Sequence, residues 1–203
     1  MISYKRMNLE TRTRLLLEAQ RLFALRGFRG ASVRDITRSA EANLGAITYH
    51  FGTKQALHDA VIESVLGQLA DRMEEAAHAP GSSPDRIRAI VRALFAFFRE
   101  APDVPRLLMH QVAGGAGIPA VAGPFLRRNL GAITQVVRDG VARREFRAAD
   151  PTLVAFTIIS QSIWFALVGR EIPSVMGLPS PGDFADRVEQ HVMDVVTRFL
   201  EEG

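Results

Sequence analysis

SVRDITRSAEANLGAITYHFGTKQAL, residues 32–57, holds two short helical signatures separated by a tight break. Ser32 followed by Asp35 makes a capping-box-like start, because a serine oxygen can accept the amide three residues on. Val33, Ile36, Thr37 and Ala40 recur at helical spacing and predict an amphipathic helix of about two turns. Glu41, Ala42 and Asn43 interrupt the stripe. It resumes at Leu44 with Ile47 and Phe51, so a second short helix can turn one face inward while Gly45, Ala46, Thr48 and Tyr49 point out. The pattern is that of a helix-turn-helix.

These residue types suit a helix lying in a major groove. Gly45 and Ala46 are small, and Thr48 can meet a base edge or a thymine methyl. At the far end, Tyr49, His50 and Lys54 offer a hydroxyl, an imidazole and an ammonium to phosphate oxygens, which fixes register without reading sequence. Ser32 and Arg34, at the start of the first short helix, complete the candidate DNA contacts. Charge follows the same division. Residues 1–60 hold ten Lys and Arg against five Asp and Glu, an excess of five, whereas the whole chain is +3 and the remainder therefore −2. A basic excess on one module is the footprint of a phosphate-binding surface. Tyr4, Lys5 and Arg6 are read as a terminal arm, either touching the DNA backbone or minor groove or simply solvated.

Gly45-Ala46-Ile47, Tyr49-His50-Phe51, Lys54 and Leu57 closely resemble the DNA-binding signature of the tetracycline-repressor (TetR) family of bacterial transcriptional regulators. The approach is similar too: a helix from about Thr11 to Arg26, with Leu15, Leu16, Ala19, Leu22 and Phe23 inward, ends at Gly27-Phe28-Arg29-Gly30. The resemblance covers residues 8–65 strongly and the remainder in architecture. Family members usually place tyrosine where Thr48 stands and an Ala-Gly-Val type of turn where Ala42-Asn43-Leu44 stands, so the aromatic here comes one residue late.

The chain is expected to be all-α: a three-helix helix-turn-helix head over residues 1–53 and a helical effector-binding and dimerisation body over residues 54–203, about nine helices in all. Thr53 caps a long helix to about Ala77 that joins head to body, with Leu57, Ala60, Val61, Val65, Leu69 and Met73 on one face. Ser83-Pro84-Asp85 is read as a cap and proline start for a helix to about Glu100. Further helices are expected from Asp103 to Val112, Val121 to Arg143, Thr152 to Gly169 and Asp183 to Leu200, with breaks at Gly114, Gly115 and Gly117 and a loop from Ile172 to Gly182.

With 203 residues, 47% of them hydrophobic, the chain can build a real core. It has no cysteine and no apolar signal run, and a bacterial cytoplasmic location is expected. The apolar run Leu153 to Val168 is short and carries Thr157, Ser160, Gln161 and Ser162, so it reads as a helix buried on more than one side rather than a membrane span.

Phe156, Ile163, Phe165 and Leu167 on that helix, and Phe184, Val188, Val192, Val195 and Phe199 on the last, make more apolar surface than one core absorbs. They are the candidate dimer interface, and the resemblance implies a four-helix bundle from the final two helices of each protomer. A twofold dimer would read a palindromic operator in double-stranded DNA. Phe95, Phe98, Met109, His110, Gln111, Phe125 and Trp164 are candidates for an effector pocket suited to a lipophilic or aromatic molecule, or for plain core. The resemblance implies repression as the common mode. The alternative is the same fold used as a protein-interaction or nucleoid-associated module. No catalytic constellation, cofactor motif or zinc-type spacing among His50, His58, His78, His110 and His191 points to an enzyme or a metal.

Overall fold

A computed structural model describes residues 2–113, 117–169, 171–177 and 181–201, with side chains described from Leu9 onward and not for 181–183. Gly114 and Gly115 of the expected glycine break lie outside these residues. The described chain is all-helical: α1 (Ile2–Gly30), α2 (Val33–Ser39), α3 (Ala46–Phe51), α4 (Lys54–Ala77), α5 (Ser83–Glu100), α6 (Val104–Ala113), α7 (Ala122–Ala142), α8 (Pro151–Val168), α9 (Ile172–Val175) and α10 (Pro181–Glu201).

The helices divide between two compact units, one of residues 1–65 and 106–123, the other of residues 66–105 and 124–203. The unit holding the helix-turn-helix therefore does not stop at residue 53. It includes the first half of α4 and most of α6. Its core is built from Leu15, Ala19, Leu22 and Phe23 of α1, Ile36 of α2, Ile47 of α3 and Leu57 and Val61 of α4, all buried.

α1 begins at Ile2, well before Thr11, so the backbone of the expected arm is helical; the side chains of Tyr4, Lys5 and Arg6 lie outside those described. Gly27 breaks the helix with φ 68° and ψ 172°, a conformation open to glycine because it lacks a Cβ.

In the second unit α5 packs on both α8 and α10, which also pack on each other. Ile87, Ile90, Val91 and Leu94 of α5, Ile158 of α8 and Val192, Val196 and Leu200 of α10 fill the centre. The start of α5 departs from expectation by one residue. Ser82, not Ser83, is the cap: its hydroxyl accepts from the Asp85 amide, and the Asp85 carboxylate accepts from the Ser82 amide. Ser83 is buried as the first helical residue, its amide donating to Glu145 Oε2 at 2.8 Å, a partner 62 positions away that local pattern cannot show.

Asp150-Pro151 caps α8 as expected, its carboxylate accepting from the Thr152 and Leu153 amides. By length and composition α8 could cross a membrane, and only 22% of it is buried within one chain. It is thus far less enclosed than the sequence suggested. The segment read as a loop after Ile172 forms the short helix α9 over its first four residues.

Candidate DNA-binding surface

α2 starts as the sequence requires. Ser32 Oγ accepts from the Asp35 amide at 3.1 Å and donates to Asp35 Oδ2 at 2.7 Å. The Ser32 hydrogen bond, with Arg26 and Arg38 nearby, holds the Asp35 carboxyl below its ordinary pKa, so it stays an anion at the helix N-terminus, where the dipole favours one. Ile36, Thr37 and Ala40 turn inward. The far end of α2 is closed from outside the motif: Arg14 Nε of α1 donates to the Ala40 carbonyl at 3.0 Å. Lone terminal carbonyls need such partners. The chain then reverses through Glu41, at φ 49°, with the Ala42 amide on the Thr37 carbonyl.

The second helix, α3, starts at Ala46 rather than Leu44, and this moves the outward face. With 100° per residue, Ala46, Ile47, His50 and Phe51 fall within one arc, leaving Thr48 and Tyr49 opposite. Ala46 is only 6% exposed, so it packs under the helix and cannot reach a base edge. Leu44, expected inside, precedes the helix and is 54% exposed. Gly45 and Thr48 are exposed, and Tyr49 is 67% exposed with its ring edge-on to His50 at 4.9 Å between centroids. Burial, seconded by the charge of Arg12, draws the pKa of His50 below that of a free imidazole, so it is neutral near pH 7.

Lys54 is more committed than its position suggests. Its ammonium donates to the Phe28 carbonyl at 2.5 Å and lies 4.4 Å from the centroid of the Phe28 ring. It thereby closes the end of α1 just after the Gly27 break, and burial lowers its pKa. Ser32 is likewise occupied as a cap, while Arg34 projects exposed from the first turn of α2. Sequence reading missed Arg12 and Arg14. The guanidinium of Arg12 covers the Phe51 ring at 4.9 Å, and Arg14 caps α2; a basic pair on the outward face of α1 was the only available signal.

The residues proposed for an effector fall in both units. Phe95 and Phe98 are buried in α5 and line a cavity of the second unit with Phe165 and Phe184. Phe125 of α7 lies against Gly67, whose missing Cβ would stand 3.3 Å from the ring. Met109, His110 and Gln111 belong instead to α6 in the first unit. There the His110 ring lies beside Gly27, and Gln111 Nε2 meets Nε2 of the buried His58 at 2.7 Å. Because that amide nitrogen can only donate, His58 accepts and is neutral. Trp164 is 55% exposed.

The candidate interface residues also separate. Phe156, Val195 and Phe199 are exposed; Ile163, Phe165, Leu167 and Phe184 are partly so. Val188 and Val192 are buried within the chain, on the inward face of α10, and are not available to a partner.

Residues 15–61 match the family model described as bacterial regulatory proteins, tetR family. Among curated proteins, the HTH-type transcriptional repressor KstR2 of Rhodococcus jostii is 28% identical over 166 residues, 77% of this chain and 78% of that protein. The structure of the TetR family transcriptional regulator PfmR from Thermus thermophilus superposes with a TM-score of 0.74 at 21% identity, covering 94% of this chain and 97% of that one. The transcriptional regulator FadR from Bacillus subtilis, solved in complex with stearoyl-CoA, gives 0.72 at 14% identity over 93% and 98%. The capped helix-turn-helix and the all-helical body define a helix-turn-helix transcriptional regulator. Residues 15–61 carry the tetR-family DNA-binding domain, and the chain as a whole has the fold of tetR-family regulators.

Proposed function

We propose that this chain is a dimeric, cytoplasmic repressor that binds a palindromic operator through α3 and is released from it by a small lipophilic or aromatic effector. The observation that carries the DNA contact is the exposed pair Thr48 and Tyr49 on a helix that buries Ala46 and Ile47. Thr48 reads bases, helped by Gly45. Tyr49, Lys54 and Arg34 meet phosphates, as does neutral His50 through a ring N–H.

Residues 1–53, with Lys54 at the start of α4, carry DNA recognition and the rest of residues 54–203 the effector and dimer functions, with α4 as the covalent link. Leu153, Phe156, Trp164, Val195 and Phe199, all exposed on α8 and α10, support the dimer, since apolar surface of that extent is what association removes from water. Two heads then engage half-sites about 34–36 Å apart or a multiple of that spacing. An effector that favours a body incompatible with that spacing shifts the population away from DNA by about 1–3 kcal/mol.

The test is footprinting on the DNA flanking the gene. A protected palindrome, bound far more tightly than random DNA and in a salt-dependent way, supports the reading. Equal affinity for random DNA defeats it in favour of a nucleoid-type binder. Unchanged operator affinity across a broad panel of lipophilic compounds removes the effector.

A further inference from the structure

The cavity between α5, α8 and α10 has a volume of about 250 Å³. Its lining is apolar apart from one residue: Phe95, Phe98, Phe165 and Phe184 supply the rings, and Ala166 and Ala185 leave the space, with Arg99 the single charged group. Arg99 is already neutralised. Its Nη1 lies 2.5 Å from Oε2 of Glu189, a carboxylate whose side chain is only 13% exposed. Phe165, Phe184 and Val188 also face a wider surface hollow of about 480 Å³, rimmed by Arg187, Gln190, His191 and Asp194.

From this lining we infer that the α5–α8–α10 cavity is a binding site for a neutral aromatic compound of one or two rings. Size comes first. A cavity of about 150 Å³ lined by aliphatic and aromatic side chains takes up benzene, so this one has room for a second ring. Charge is next. An anionic ligand would meet an arginine whose charge Glu189 already balances, and a cationic one would find no free counter-charge in the lining; each would exchange hydration for otherwise apolar walls. Ring preference follows from the four phenylalanines, which can present edges and faces to a flat guest in the offset and edge-to-face arrangements that aromatic pairs favour.

The inference deepens the effector reading by giving it a place and a ligand class, yet binding and DNA release can fail separately. Calorimetric titration of the full-length protein with 2-naphthol should show one site per chain. Ala166→Phe, which fills the cavity from α8, should weaken binding at least about tenfold, and 2-naphthoate, of similar shape but anionic, should bind the unaltered protein at least about tenfold more weakly. Ala185→Leu fills the same space from α10 should Ala166→Phe fail to fold. Absence of binding, equal affinity in the filled variants, or equal affinity for the naphthoate would each overturn the site. The operator complex is titrated in parallel. Binding of 2-naphthol without DNA release keeps the site and rejects its effector role; release that survives cavity filling places the effector elsewhere.

Discussion

Replacing Lys54 with Met keeps a stem of the same length over the Phe28 ring while deleting the ammonium. In the structure that ammonium is the partner of the Phe28 carbonyl, one of the last in α1, and sits over the Phe28 ring. A hydrogen bond from a charged donor contributes about 1.5–3 kcal/mol, and the half-buried setting points to the lower end. The cation–π contact adds about 0.5–1 kcal/mol at such a site, part of which a thioether over the ring restores. The expected loss is therefore about 2 kcal/mol. In urea, at a slope of about 2 kcal/mol per molar, the unfolding midpoint should fall by about 1 M.

The same variant tests the proposed phosphate contact, because an ammonium has two donors left after Phe28. The slope of log K against log salt should lessen by about 0.9 for each head bound to DNA. Both quantities are read on one preparation. An unchanged midpoint would show that the Phe28 contact contributes nothing, refuting the capping argument. A lowered midpoint with an unchanged salt slope would confine Lys54 to a structural role and remove it from the DNA interface.

Thr48→Ala should change the ranking of operator variants more than the affinity for random DNA, by about 1–3 kcal/mol at one base position; a uniform loss over all sequences would contradict base reading. Trp164→Arg alters an exposed residue, so the chain should fold with its usual helicity but sediment as a monomer, and an intact dimer would move the interface elsewhere. Stability should fall as pH drops below about 6.5. Burial, with Lys54 adding to it and Asp59 opposing it, holds the pKa of His58 below that of an unfolded histidine, so the unfolded chain takes up the proton first. His50 acts in the same direction. His58→Phe, in its cage of Phe23 and Phe28, should reduce the difference in denaturant midpoint between pH 5.5 and 7.5, chosen about one unit either side of that value, and an unchanged difference would absolve His58. Gly140→Ala would place a Cβ 2.1 Å from the buried Phe146 ring and should cost about 1–3 kcal/mol in thermal or urea unfolding; a neutral effect would mean the ring moves freely aside.

Much of this protein was legible as local chemistry. Ser32 with Asp35 and Asp150 with Pro151 declared helix starts because capping engages partners within three residues, and the Leu57, Val61, Val65, Leu69, Met73 stripe declared the apolar face of α4 because helical spacing alone decides which residues share it. The helix-turn-helix, the family and the all-helical class followed from such signals. What they left undecided depends on residues distant in sequence. Ala46 and Thr48 look equally suited to a groove; the start of α3 two residues later than the apolar pattern implied put the first inside and the second outside. Lys54 could have been wholly a phosphate ligand until Phe28, 26 residues earlier, took its ammonium. Val192 and Val195 share a composition, yet packing on α5 and α8 buries the one and leaves the other on the surface. Periodicity specifies which residues share a face, while only the packing of one helix on another determines which face is covered and which remains to meet DNA, a ligand or a second chain.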